Sequence, residues 1–175
     1  MTDDTAIVEG LRQNEPDAAR RLVDAHGRRL LRSAVLLCGN EPDAQDAVQE
    51  TLITAVKAIA RFRGSSALYT WLHGILINVV RHIVRGRKPT IALDEAPEQA
   101  DSRTPAQAAA RAGDCADVRA AVAALPPEHR EVIVLRYFDE MKLDEIARHL
   151  GLRVGTVKSR LHYAAQRLRE TLKHE

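Results

Sequence analysis

Two stretches of the chain gather the side chains that hold phosphates and read bases. The first is residues 61–88. It carries Arg61, Arg63, Arg81, Arg85, Arg87 and Lys88 with no acidic residue, in a chain of 175 residues whose net charge is only +2. A basic block of this kind suits a polyanionic backbone, and a solvated basic helix face has the same composition. The second stretch is LDEIARHLGLRVGTVKSRLHYAAQRLRE, residues 143–170. Within it Thr156, Lys158, Ser159, Arg160, His162 and Tyr163 would share the outer side of one helix. Those are the side-chain types that bond phosphate oxygens and base edges.

The apolar positions around the second stretch say what must hold it. Ile146 and Leu150 lie four apart, on one helix face, and Ala147 is small where another helix must cross closely. Gly151 follows and can take the left-handed conformation of a tight turn. Leu152 and Val157 fill the angle between two helices, and Leu161 continues the inward face. This pattern specifies a helix-turn-helix. An ordinary αα-corner would share the glycine and the apolar positions; the basic outer face favours DNA. Lys142 is a poor N-cap, offset by Asp144 and Glu145 in the first turn.

The remaining elements are all helical. Residues 15–38 read as one helix, with Pro16 in its first turn and Leu22, Leu30, Leu31, Val35 and Leu37 recurring at helical intervals. Gly39 and Asn40 stop it, and Glu41-Pro42-Asp43 opens a second helix running to about Phe62. Ala47, Val48, Leu52, Ile53, Val56 and Ile59 form the second helix's apolar stripe. Gly64-Ser65-Ser66 breaks the pattern. A third helix runs from about Leu68 to Arg85, with Leu72, Ile75, Leu76, Val79, Val80 and Ile83 inward. Residues 86–112 hold Pro89, Pro97 and Pro105 and few large apolar residues, the composition of a flexible, mildly acidic linker. Helical period returns at Asp114, where Val118, Val122 and Leu125 face inward, followed by a short helix over Glu128–Phe138 and then the helix-turn-helix. The expectation is an all-α fold of two small helical domains, residues 1–87 and 113–175, joined by a linker at 88–112.

Several function classes are disfavoured. No apolar run is long enough to span a bilayer, and the acidic start MTDDTAIVEG lacks a secretory pattern, so the expected location is the cytoplasm. Cys38 and Cys115 stand apart from each other and from the seven histidines, so no metal site is expected. No glycine-rich phosphate loop and no nucleophile with a base appears, so neither a cofactor nor an enzyme activity is expected.

The chain resembles the extracytoplasmic-function sigma factors of bacterial RNA polymerase over nearly its whole length outside the linker. In the first half the matching elements are Asp43-Ala44-Gln45-Asp46-Ala47-Val48-Gln49-Glu50-Thr51, Arg61-Phe62-Arg63-Gly64, Thr70-Trp71-Leu72 and Asn78. In the second they are Leu125-Pro126-Pro127-Glu128-His129-Arg130, Val134-Leu135-Arg136-Tyr137-Phe138 and Val154-Gly155-Thr156-Val157-Lys158-Ser159-Arg160-Leu161. The motifs fall in the family's order and spacing.

That resemblance implies a promoter-specificity subunit with no catalysis of its own. Asp43, Asp46, Gln49 and Glu50 would dock on core RNA polymerase; from the residues alone they equally make a solvated acidic face. Residues 61–88 would melt and hold the minus-ten element. There the basic residues Arg61, Arg63, Arg81, Arg85, Arg87 and Lys88 follow one strand, and Ser65, Ser66 and Tyr69 shape a pocket for a flipped base. Asn78 would read a base edge with one donor and one acceptor. The helix-turn-helix would read the minus-thirty-five duplex through Thr156, Lys158, Ser159, Arg160, His162 and Tyr163, with Arg153 and Arg167 on phosphates. Trp71 is read as a core anchor, and His73 and His82 as exposed polar groups. Family members are commonly controlled by an anti-sigma factor, which two linked domains would allow to wrap around them. Four positions depart from the family pattern: Leu68 and Tyr69 stand for an aromatic and a basic residue, Gly74 for a commonly basic one, and Tyr163 for a common arginine. Tyrosine cannot make arginine's bidentate bond to guanine. A stand-alone regulator would need a sensing module that is not seen, and a DNA-blind decoy would have lost its basic residues.

Overall fold

The computed structural model describes residues 4–86 and 117–173. The expected linker, with Arg87, Lys88 and Cys115, lies outside the described residues. The described residues are almost wholly helical and hold no strand. Helix α1 (Asp4–Arg12) buries Ile7, Val8 and Leu11. Three large apolar residues in nine are too few to register as a period, which is why the sequence reading assigns nothing there. Arg12 ties α1 to the far end of the next hairpin by donating to the Phe62 carbonyl at 2.6 Å.

The single helix expected over residues 15–38 is interrupted. Pro16 precedes α2 (Ala18–Leu22), and five residues of wider π winding (Val23–Gly27) separate α2 from α3 (Arg28–Cys38). The wider turn rotates the register. It turns Val23 outward and His26 inward, where His26 Nε2 sits 2.9 Å from Asp4 Oδ1. Gly39 closes α3 at φ 78°, and the extended Asn40 accepts a hydrogen bond from the Asp43 N–H at 3.0 Å, capping α4 (Glu41–Ala58).

Small buried residues on α4 (Ala44, Ala47, Thr51 and Ala55) let α3 and α5 (Leu68–Gly86) approach on either side. A short 3-10 turn, Ile59–Arg61, ends α4's run. Ile53 and Val56, expected inward, are instead exposed at 46% and 37%. Leu52 and Val48 complete the packed face, so the apolar stripe is wider than the contact it makes.

In the second half a helical stretch at residues 117–123, α6, leads to α7 (Pro127–Ile133). Val118, also expected inward, is exposed. The winding then widens over Val134–Phe138, and α8 (Leu143–Leu150) and α9 (Val154–Lys173) follow. Val132, Leu135, Met141, Ile146, Ala147 and Val157 form a small core of their own. Val122, Leu125, Ile133, Val134 and Ala164 belong to the main core with α1, α3, α4 and α5. The two halves are therefore packed on one another.

Candidate nucleic-acid interface

The helix-turn-helix is built as its sequence requires. The Lys142 N–H donates to Glu145 Oε2 at 2.8 Å, the half of a capping box that an N3 carboxylate supplies at the start of α8. Gly151 takes φ 66°, and the Leu152 N–H donates back to the Ala147 carbonyl at 2.8 Å, closing the turn. Val157 and Ala164 are fully buried, which fixes the rotation of α9. Lys158, Ser159, His162, Tyr163 and Arg167 are then exposed, as is Arg153 just ahead of the helix. Thr156 and Arg160 are partly covered. Tyr163, 58% exposed, lies edge-on to His162.

The basic block of the first half divides. Arg61, Arg63, Ser65, Ser66, Asn78 and Arg85 are exposed. The loop before α5 is open, and Gly64 takes φ 71° there. Trp71 is half-buried with its ring 5.2 Å from that of Phe62, as a core anchor should be. Tyr69 and Arg81 are placed differently from expectation. Arg81 Nε and Nη2 donate to Glu131 Oε1 and Oε2 of α7, both at 2.7 Å. This bidentate pair holds the guanidinium charged, raising its pKa. Tyr69 is buried and donates to Asp139 Oδ1 at 2.5 Å.

Asp139 collects a cluster that the sequence does not reveal. Ser33 Oγ donates to its Oδ1 at 3.0 Å, and His73 Nε2 stands 2.9 Å from its Oδ2. Arg29 donates to its backbone carbonyl at 3.2 Å while its guanidinium lies 3.8 Å over the Tyr69 ring. His73 is fully buried, a correction to its expected exposure; His82 is exposed. Burial pushes the Asp139 carboxyl up, but His73, Tyr69 and Ser33 outweigh it and hold it below the usual range. Burial, then the Asp139 carboxylate, pushes the Tyr69 hydroxyl up. His149 of α8 lies 5.5 Å ring to ring from His73, and burial lowers its pKa to about 4. Ser33, Tyr69 and His73 come from α3 and α5, whereas Asp139 lies 106 residues beyond Ser33 and 70 beyond Tyr69, so no local spacing could have signalled the cluster.

Asp46, Gln49 and Glu50 form an exposed acidic and polar row on α4, with Asp43 half-covered at its start. Beside Gln49, the outward Ile53 and Val56 join Ala19, Leu22, Val23 and Leu52 in a shallow apolar groove of about 410 Å³. Among the described residues no cluster of histidine, cysteine or acidic side chains could hold a metal ion, and no helix is long and apolar enough to cross a membrane.

An all-helical chain with a helix-turn-helix and a separate basic helix is a nucleic-acid-binding architecture. Residues 22–90 match the Sigma-70 region 2 family, and residues 115–168 match Sigma-70, region 4. The chain is 32% identical to the RNA polymerase sigma-H factor of Pseudomonas aeruginosa, over 97% of its own length and 93% of that protein's. It is 37% identical to the ECF RNA polymerase sigma factor SigE of Mycolicibacterium smegmatis over 86% of its length, and spans 60% of that longer protein. In structure it is similar to the sigma factor RpoE crystallised with the anti-sigma factor NepR from Bartonella quintana. That match has a TM-score of 0.69 and 25% identity, and covers 90% of this chain and 98% of the other. The chain belongs to the extracytoplasmic-function sigma factors of the sigma-70 family.

Proposed function

We propose that the chain binds core RNA polymerase, reads a promoter at two places and is released for that work from an anti-sigma factor. The proposed division is residues 1–87 for polymerase and the minus-ten element, a linker at 88–112, and residues 113–175 for the minus-thirty-five element. The outer face of α9 carries the reading best. Val157 and Ala164 are buried beneath it, and Lys158, Ser159 and His162 project from the other side. That is the geometry of a recognition helix in a major groove. Asn78 and the loop Gly64–Ala67 are open for a single strand, with Arg61, Arg63 and Arg85 around them. The α4 row Asp46, Gln49 and Glu50 and the apolar groove beside it fit a polymerase helix that needs both polar and apolar contact.

The family does its work by binding, and no chemical step is assigned to this chain. Its place is the cytoplasm, with promoter DNA. Control by an anti-sigma factor is supported by the RpoE–NepR complex, whose sigma factor this chain resembles. Copurification with core polymerase, followed by run-off transcription on a promoter library, tests the class and reads the promoter together. Lys158→Ala and Arg160→Ala should each weaken duplex promoter binding by roughly tenfold, about 1–3 kcal/mol, and leave polymerase binding intact. Equal promoter binding by wild type and both variants removes those residues from the site. Asn78→Ala should change preference at one base of the melted strand; an unchanged preference profile across base-substituted promoters rejects the pocket.

A further inference from the structure

Resting on the reading of the Gly64–Ala67 loop as the seat of a flipped base, we infer that helix α1 belongs to that reader, and that Arg12 is the positioning residue that sets the loop's shape from behind. The family match over the first half begins at residue 22, so α1 lies outside it. Helix α1 is built as a fixed reference. Ile7, Val8 and Leu11 seat it in the main core. At its start Asp4 Oδ1 stands 2.9 Å from His26 Nε2, and beyond its end the Glu15 N–H donates back to the Gly10 carbonyl at 2.9 Å.

The loop has little of its own to hold it. The Phe62 N–H donates to the Ile59 carbonyl at 3.0 Å, and the next backbone bond runs from the Trp71 N–H to the Ala67 carbonyl at 3.2 Å. Between them Arg63–Ser66 are exposed, and among the described residues they make no backbone-to-backbone hydrogen bond. The path of the loop is therefore set where it begins, at Phe62. Three contacts fix that residue. Its N–H is bonded to Ile59, its ring lies 5.2 Å from the Trp71 ring, and its carbonyl accepts from Arg12 Nη2 at 2.6 Å. The Phe62 carbonyl belongs to the peptide plane shared with Arg63. Holding its oxygen fixes Phe62 at ψ 114° and aims everything that follows. A groove of about 340 Å³ runs between α1 and the loop, with Thr5, Glu9, Arg12, Arg63, Gly64 and Ser66 on its walls, and the Arg12–Phe62 bond spans it. Arg12 is exposed and its bond reaches across 50 residues, so it adds modestly to stability. Its consequence is direction: a binding pocket tolerates misplacement of only about 0.5 Å.

The test uses holoenzyme assembled from core polymerase and the full-length chain. Four forms are compared: wild type, Arg12→Met, Arg12→Lys, and a loop variant carrying Ser65→Ala and Ser66→Ala. Each transcribes a library randomised over the minus-ten element of a promoter that the wild type uses, and sequencing the transcripts gives the base preference at every position. The salt dependence of binding is measured on the unrandomised promoter. Arg12→Met should lower the preference ratio at the most selective minus-ten position roughly three- to tenfold, and leave the salt slope and the minus-thirty-five preference as they were. Arg12→Lys keeps a donor and should restore most of the ratio. Combined with the loop variant, Arg12→Met should add little, because both act on one pocket. A uniform loss across all sequences, with a salt slope shallower by about one, makes Arg12 a phosphate contact and overturns the positioning role. A lower midpoint of thermal unfolding with the wild-type preference profile makes the bond structural alone and overturns it equally. The two readings fail apart. If the loop variant changes the profile and Arg12→Met does not, the role of Arg12 is wrong; if the loop variant keeps the wild-type profile, the loop is not the seat of the base.

Discussion

A carboxylate with 1% of its side chain exposed is costly to keep ionised unless hydrogen bonds and charge replace its water. Asp139 has both: two hydroxyl donors, the His73 ring and the nearby Arg29. Removing the charge but not the shape, as in Asp139→Asn, leaves Tyr69 and His73 facing an amide that answers only some of them. A loss of about 3 kcal/mol in unfolding free energy is expected, the usual cost of breaking a buried pair, measured by urea denaturation at pH 7.5. Tyr69→Phe removes one donor only and should cost about 1–2 kcal/mol. His149 gives the pH dependence. It is held neutral in the folded chain, with its pKa lowered from 6.5 to about 4, by burial first and then by His73. The unfolded chain takes up the proton near pH 6.5. The stability His149 contributes is therefore fully present above 6.5 and is lost as pH falls from there towards 4. Relative to His149→Gln, the wild type should lose about 2 kcal/mol between pH 7.5 and pH 5. A constant difference between the two proteins across that range would show that His149 takes up its proton as readily in the fold as in the unfolded chain.

Elements repeat this division between what is local and what is not. The turn of the helix-turn-helix was legible because each of its requirements sits within ten residues: an apolar pair, a small residue, a glycine. Gly151 at φ 66° has nothing within 4 Å of where a β-carbon would be. Gly151→Ala thus isolates the backbone cost, about 1–2 kcal/mol, and the midpoint of thermal unfolding should fall by about 2–8 °C. Duplex binding by the folded variant should be little altered, since α9 keeps its own packing. Helix α5 was legible for the same reason, through the recurrence of Leu72, Leu76 and Val80. Helix α4 was legible in extent and not in burial. Periodicity places Ile53 and Val56 beside the packed stripe, but only the neighbours of a helix decide how wide a stripe they cover. Both residues are left at the edge of an open groove. The π winding over Val23–Gly27 was illegible because one extra residue in a turn leaves composition and hydropathy unchanged.

The whole molecule departs furthest from what the sequence conveys. Composition argues for two helical halves and a connecting stretch, and says nothing of their contact, since the residues that make it lie 50 to 110 positions apart. Arg130 shows the coupling. From α7 it donates to the Leu37 carbonyl at the end of α3 at 2.7 Å, and also to the carbonyls of Ala123 and Leu125, the latter at 3.0 Å. Burial lowers its pKa, but arginine stays charged at any working pH. One guanidinium thus satisfies the terminal carbonyls of a helix in the first half and of a helical turn in the second. With Val122, Leu125 and Ala164 in the same core as α3 and α5, the described parts should unfold as one cooperative unit. Arg130→Met keeps the stem and removes every donor. The Leu37 carbonyl then loses its partner from the second half, and the helical turn at residues 123–125 loses its clasp. The midpoint should fall by about 4–10 °C. Amide exchange should speed up at both places together, at residues 36–39 and 120–126, while the centres of α4 and α5 keep their protection. If only the second half loses protection, Arg130 holds its own turn and does not join the halves.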